Sequence, residues 1–320
     1  MLILMIAVND PAGMGIKFCR AVNRLGRHVC RLATLETRYT HGWEADLHLP
    51  DLSPAGLAEL ERLLRQADVF HFHMTADENL ALGPFLPRDF LAGKKIVHHH
   101  HGHPDYRSNP QKYLDKYERL NRRNILVSTP DLLKLLPVAV WQPNLVPIGD
   151  PLLLPAGDKP RDRLLVAHSP TRKDLKNTDD LLAAAAALRE GAPGRLPVEL
   201  DLIDDVPNAE CLARKRRCHV LFDHMQGYYG VSSLEGLSQG LAVIAGLDEW
   251  NRARVAEFAG TTELPWITAR DRAELAARLA KLASDLDACL AAGRKGRLFM
   301  ERCWSDARVA GRLADYWERL

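Results

Sequence analysis

Short apolar runs alternate along the chain with segments whose apolar residues recur at helical spacing. Leu2 to Val8 (LILMIAV) is a continuous apolar run. That is the pattern of a strand buried on both faces of a parallel sheet. A Gly-containing loop, NDPAGMG, follows, and then a helix that sets Phe18, Val22 and Leu25 on one face and closes at Gly26. HVCRLAT, DVFHFHM, KKIVHHH and NILVST are further strand candidates, separated by loops or by helices such as SPAGLAELERLLRQ. This alternation predicts a parallel sheet with helices on both faces.

Pro143 to Pro160 breaks the pattern. It holds five of the nineteen prolines and no helical period, and it reads as a linker between two domains. Beyond it the alternation restarts with the strand RLLVAHS. Asn177 and Thr178 are placed to cap a helix whose first turn holds Asp179 and Asp180 and whose apolar face is Leu181, Ala185 and Leu188. VELDLID, HVLFDHM and LAVIAGL are strands, and VSSLEGLSQ is a short helix closed by Gly240. One long helix is expected to carry Leu275, Leu279, Leu282 and Leu286 on one face, and a last helix carries Val309, Leu313 and Trp317. The expected architecture is α/β: two Rossmann-like, doubly wound parallel-sheet domains facing an interdomain cleft. Ligands in such sheets bind beyond the carboxyl ends of the strands.

Composition narrows the function classes. With 320 residues, the chain is long enough for two domains. Its formal net charge of +2 excludes a polyanion binder that works by bulk charge, and no nucleic-acid-binding module is recognisable. No apolar run approaches the ~20 residues of a membrane span. MLILMIAV lacks a basic flank and reads as a first strand rather than a leader. The six cysteines form no CxxC, and their spacing suits neither zinc nor a disulfide framework, so a reduced, cytoplasmic setting is expected. The basic clusters ARKRR (213–217), RLNRR (119–123) and GRKGR (293–297) are candidates for contact with anionic lipid on the inner face of a membrane. Solvated faces are the plainer alternative.

Two stretches carry chemistry. In HVLFDHMQGYYGVSSLEGLSQGLAVIAG (219–246) a strand ends near Asp223, and a loop of Gln226, Gly227, Tyr228, Tyr229 and Gly230 leads into a helix. Its glycines allow close backbone approach, and the helix start offers N–H groups to an anion. Glu235, on the second turn, is placed to accept hydrogen bonds from sugar hydroxyls, although a single Glu on a helix is ordinarily a solvated charge. In HSPTRKDLKNTD (168–179) a strand end is followed by Ser169, Thr171, Arg172, Lys173 and Lys176 ahead of a helix. Cations ahead of a helix start suit an anionic group.

Together these stretches resemble the signature of nucleotide-sugar-dependent glycosyltransferases of GT-B fold, in particular the retaining glycosyltransferase family 4. Glu235 matches the second of two glutamates eight residues apart, the one that binds the donor ribose in the family. The first would fall at position 227, which is Gly227. The stretch is closer to a subgroup written D-x-x-x-G-x-Y-G, matched by Asp223, Gly227, Tyr229 and Gly230. There Asp223, or the amides from Gln226 to Gly230, serve the donor sugar. Lys176 matches the family lysine, with Asn177 where Gly is usual, and Arg172 is the second cation, with Lys173 competing for that role. Ser169 and Thr171 lie in the same donor-side segment. Gly13, Met14 and Gly15 match a Gly-rich loop near acceptor and donor phosphates, although a glycine there also serves packing alone. His101 and Gly102 match a His-Gly pair whose His approaches the donor sugar. Arg107 resembles the arginine that follows, one residue later than in HGxDxR. His98, His99 and His100 read as strand residues alternating between faces. RCWSDARVAGRLADYWERL resembles the C-terminal helix that crosses back to the first domain.

The resemblance implies an acceptor-side domain of residues 1–150 plus the helix 304–320, and a nucleotide-sugar-binding domain of residues 160–300. It implies transfer of a sugar from a UDP- or GDP-linked donor to a hydroxyl of a glycan, lipid-linked or small-molecule acceptor. Anomeric configuration would be retained and no metal or other cofactor required. Its catalytic residues would be His101, Arg172 and Lys176, with base contacts from the loop Asp204 to Glu210. Asp285 to Asp287 (DLD) sits in a helical pattern and is not read as a metal-binding DxD. Two alternatives remain open. One is a non-catalytic nucleotide-sugar-binding protein of the same fold, which Gly227 keeps in view. The other is a metal-dependent hydrolase using His71 and His73 with His101 or His103 and a later Asp.

Overall fold

A computed structural model describes residues 1–38 and 44–320. The chain divides into two compact units, Met1–Leu145 with Asp306–Leu320, and Val146–Ser305.

In the first unit the strands β1 (Leu2–Ala7), β2 (Val29–Thr34), β3 (Leu47–His48), β4 (Val69–His73), β5 (Lys95–His100), β6 (Ile125–Val127) and β7 (Val140–Trp141) form a parallel sheet in the order β3-β2-β1-β4-β5-β6-β7. β1 is central, and Ile3, Leu4, Met5 and Ile6 are fully buried, as an apolar run covered on both faces must be. Helix α1 (Met14–Leu25) buries Phe18 and Val22 and stops at Gly26. Helix α2 (Pro54–Gln66) begins where the Ser53 side chain accepts from the Gly56 amide, with Pro54 in the first turn. The helices α3 (Pro104–Ser108) and α4 (Pro110–Arg119) follow β5.

In the second unit β8 (Leu164–His168), β9 (Val198–Leu202), β10 (Val220–Phe222), β11 (Ala242–Ala245) and β12 (Ile267–Thr268) form a parallel sheet in the order β12-β11-β10-β8-β9. The intervening helices are α5 (Thr178–Ala187), α6 (Asn208–Arg216), α7 (Val231–Ser238), α8 (Glu249–Ala259), α9 (Arg272–Ser284) and α10 (Leu286–Cys303). Leu164, Val166, Val220, Phe222 and Ile244 from the strands pack with Leu181, Leu275 and Leu279 from the helices in one core. Where α10 crosses the turn after α7, the backbones touch: a Cβ at Gly293 would overlap the Gly240 carbonyl oxygen. No helix among the described residues is long and apolar enough to cross a membrane.

The last helix, α11 (Asp306–Glu318), belongs with the first unit. Val309, Leu313 and Trp317 are fully buried there. Arg24 pairs with Asp306 at 2.7 Å, and Arg27 pairs with Asp315 at 2.7 Å and Glu318 at 2.6 Å.

Two local expectations are corrected. The single long helix through Leu286 is two helices. Asp285 leaves the helical region (φ −142°, ψ 85°), and its carboxylate accepts from the Ala288 amide to start α10. Asn177 does not cap α5 with its side chain. It sits in the left-handed region (φ 54°), and its Oδ1 accepts from the Met225 amide at 2.8 Å instead.

Candidate functional site

The site in the second unit grows from the carboxyl ends of the neighbouring strands β8 and β10. His168 closes β8. Its Nδ1 lies 3.0 Å from the Phe222 carbonyl oxygen, which can only accept, so Nδ1 carries the proton and Nε2 accepts from the Thr178 hydroxyl at 2.9 Å. Burial lowers this imidazole to about 4, so it is neutral and ties the two strand ends to α5.

Asp223 organises the loop that follows β10. Its Oδ2 accepts from the Gly230 amide at 2.5 Å and the Ser233 hydroxyl at 2.8 Å, and its Oδ1 faces the Lys176 ammonium at 3.2 Å. Burial pushes this carboxyl up. The charges of His224 and Lys176 and the bonds from Gly230 and Ser233 outweigh burial and hold it well below the usual carboxylate range. Gly227 has φ 86°, and its carbonyl accepts from the Asp248 amide at 2.8 Å and Asn251 Nδ2 at 3.0 Å. A glutamate would be strained in that left-handed conformation, which is a backbone reason for Gly at this position.

Glu235, on α7, is 6% exposed and meets the equally buried Lys215 of α6, Oε2 to Nζ 2.8 Å. Lys215 also donates to Ser232 Oγ at 2.9 Å, and Ser232 Oγ lies 3.2 Å from Ser169 Oγ. Burial lowers the Lys215 ammonium and the Glu235 carboxylate raises it; the net shift is upward, so the ion pair is intact. The structure thus joins Lys176 and Gly230 through Asp223, and Glu235 to Ser169 through Lys215 and Ser232. The first turn of α7, which opens toward this group, holds no acidic side chain. A partly exposed ammonium beside that helix start suits phosphate oxygens, and a fixed carboxylate suits a hydroxyl donor.

Other expected residues lie elsewhere. Arg172 is exposed and forms a two-point pair with Asp174 at 2.5 and 2.9 Å. Lys173 pairs with Asp204, within the loop expected to contact a base. Thr171 and Gln226 are exposed, and Tyr228 packs edge-on to His224. Tyr229 is no ligand residue: it is fully buried, with Trp266 5.3 Å and Trp304 5.9 Å away, ring centre to ring centre. Lys215 went unread as a site residue, because ARKRR looks like a solvated run. Inside that run Arg214 pairs with Asp201, and Arg216 donates to the Leu154 carbonyl. The other basic clusters also fold partly inward: Arg122 pairs with Glu78, and Arg297 donates to the carbonyls of Ile148, Leu153 and Ser238.

In the first unit, Gly13, Met14 and Gly15 do open α1, but the Asp10 carboxylate accepts from the Gly15 and Ile16 amides, both at 3.0 Å. Those amides serve an internal cap rather than a phosphate. Met14 is buried. His101 stands just past β5, its Nε2 2.9 Å from His73 Nδ1, and burial lowers it to about 4. Arg107 pairs with Asp131 at 2.7 Å. The metal reading is altered too. Among the described residues, the group that could hold an ion is His71, His73 and His99. It contains neither His101, His103 nor an Asp, and its burial leaves no open position for a substrate.

No family model and no curated protein sequence matches the chain. Solved structures do. Sucrose-phosphate synthase (tll1590) from Thermosynechococcus elongatus superposes with a TM-score of 0.64 at 13% identity, over 100% of this chain and 98% of that one. Anabaena Alr3699/HepE, solved in complex with UDP and glucose, gives 0.63 at 12% identity over all of both chains. UDP-GlcNAc 2-epimerase from Neisseria meningitidis, bound to UDP-GlcNAc, gives 0.52 at 10% identity over all of both chains. With its two parallel-sheet α/β units, the chain has the GT-B fold.

Proposed function

We propose that the chain is a glycosyltransferase that takes a sugar from a nucleoside-diphosphate-sugar and passes it to a hydroxyl acceptor. The observation that carries this reading is the contact of Lys176 with the 223–230 loop at the strand ends of the second unit, with Glu235 on the helix that this loop opens. Lys176 and the start of α7 would hold the diphosphate and stabilise the charge that develops on it as the sugar leaves. Glu235, oriented by Lys215, would accept from the ribose hydroxyls. Asp223 sets the loop and the lysine and is a positioning residue. Residues 160–300 would form the donor domain, and residues 1–150 with the last helix the acceptor domain. His101 would approach the sugar, and Arg172 would leave Asp174 to meet the diphosphate. UDP is the first donor base to test, since the UDP complex of the similarly folded HepE supports it. Retention of configuration, membership of glycosyltransferase family 4, a glycan-type acceptor and freedom from a required metal rest on the motif resemblance, and a cytoplasmic setting rests on the cysteine usage.

Incubation of the full chain with UDP- and GDP-sugars and a panel of sugar and glycoside acceptors tests this. The reading expects a new glycoside and stoichiometric nucleoside diphosphate, with the donor's anomeric configuration kept. Conversion of the donor into an epimer without an acceptor product would instead align the chain with the epimerase of similar fold. Binding without turnover would make it a nucleotide-sugar-binding protein.

A further inference from the structure

The first unit contains a cluster of imidazoles of which the proposed transfer reaction uses only His101. β4 and β5 pair in register, with His73 opposite His99. Alternation along each strand therefore sets His71, His73, His99 and His101 on one face and His98 and His100 on the other. The second pair has aromatic and acidic partners: His100 lies 2.6 Å from the Tyr117 hydroxyl, and His98 faces Glu78. The first face is different. His71 and His73 stack with ring centres 4.6 Å apart, and Trp317 and Phe18 close over the group from α11 and α1.

His71, His73 and His99 are 0%, 3% and 1% exposed. Each keeps a buried ring nitrogen with no hydrogen-bond partner among the described residues: His71 Nδ1, His73 Nε2 and His99 Nε2. Three such orphans on touching side chains call for a ligand, because an unsatisfied buried polar atom costs about 1–3 kcal/mol. One nitrogen from each ring lies within 4.8 Å of those from the other two; His71 and His99 also meet through the nitrogens that are not orphaned, Nε2 to Nδ1 3.3 Å. Tetrahedral Zn–N bonds of about 2.0–2.1 Å place ligand nitrogens about 3.4 Å apart, so small ring rotations close the set. The donor set is all nitrogen, which selects a borderline transition ion over Mg²⁺ or Ca²⁺.

We infer that His71, His73 and His99 form a structural binding site for one divalent transition-metal ion of the Zn²⁺ class. His101 is the outer partner, hydrogen-bonded to His73 Nδ1. Coordination through His73 Nε2 keeps that bond and fixes which nitrogen of His101 accepts. The ion would brace β4 against β5 beneath α1 and α11. The three ligands themselves take no part in the proposed transfer, although His73 adjoins His101, so the test reads metal content and stability rather than turnover.

The full chain, made without a histidine tag, is stripped of metal and then loaded by two routes, titration of the native protein and refolding from denaturant with Zn²⁺ or Co²⁺. The inference expects one ion retained per chain, visible d–d absorption of nitrogen-ligated Co²⁺, and a Zn²⁺-dependent rise in Tm that a chelator reverses. His71→Gln and His99→Gln should abolish all three, and His100→Gln, on the opposite face, should keep them. If the first two variants fail to refold, X-ray absorption of the zinc-loaded wild type decides. Three imidazole nitrogens around the ion support the site, and fewer than three overturn it. Retention of no ion by either route also overturns it, as does an ion that survives loss of His71 and His99.

Discussion

Replacing Lys215 by Met tests whether the Glu235 carboxylate is held by a buried charge. The two side chains are 3% and 8% exposed and 2.8 Å apart. Met keeps most of the aliphatic stem and removes only the ammonium, leaving Glu235 buried without its partner. Breaking one side of such a pair costs about 3–5 kcal/mol. The lost bond to Ser232 adds little, because that hydroxyl is only half-buried and water can replace the donor. At ~2–4 °C per kcal/mol for a unit of this size, Tm should fall by roughly 6–20 °C. Urea unfolding of wild type, Lys215→Met and Lys215→Met/Glu235→Leu near neutral pH measures this. The double variant should recover most of the loss, since an apolar pair tolerates that burial. A loss below about 1 kcal/mol, typical of a solvated pair, would refute the reasoning. So would a double variant no better than the single.

Asp223→Asn should lower stability by about 2–3 kcal/mol near neutral pH, since charged hydrogen bonds contribute about 1.5–3 kcal/mol each. Because the folded carboxyl is held below its unfolded value of about 3.9, its contribution is present above that value and is lost as pH falls through the folded pKa. Acid titration of urea midpoints should therefore show a flatter limb in the variant, and identical limbs would contradict the assignment. Tyr229→Leu should cost about 2–4 kcal/mol through lost packing on Trp266 and Trp304, yet leave nucleotide affinity of the folded protein unchanged; isothermal titration at low temperature separates the two. Gly293→Ala should destabilise by about 3 kcal/mol or more in thermal unfolding, because its methyl group would need the space of the Gly240 carbonyl.

The two-unit parallel-sheet architecture was readable because the longer strands, β1, β2, β4, β5, β8 and β9, run five or six residues and alternate with loops and helical segments. β3, β7 and β12 have two residues each, too few for any period to register. The break at Asp285 leaves the apolar spacing from Leu275 to Leu286 intact, so only the cap itself marks it. At the site, Lys176, Asp223 and Glu235 stood out because Gly-rich loops and strand ends flag them locally. Lys215 did not, since its burial is decided by a carboxylate twenty residues away on another helix. Tyr229 misled for the converse reason. In the chain it sits among loop glycines, while in space Trp266 and Trp304, from distant segments, enclose it. Asp10 was passed over because a side chain that caps α1 from ahead of the loop leaves no periodic trace.

The central claim is that Lys176 and Glu235 form a nucleoside-diphosphate site in the second unit. Isothermal titration of UDP and GDP into the full chain, its Lys176→Ala variant and its Arg172→Ala variant tests it most directly. One nucleotide should bind stoichiometrically to the wild type, and Lys176→Ala should weaken it by about tenfold to a hundredfold, as loss of a charge-assisted contact of about 1.5–3 kcal/mol requires. Arg172→Ala should weaken it less, because Arg172 must first leave Asp174. Absence of binding by either nucleotide, or undiminished binding by folded Lys176→Ala, would contradict the account.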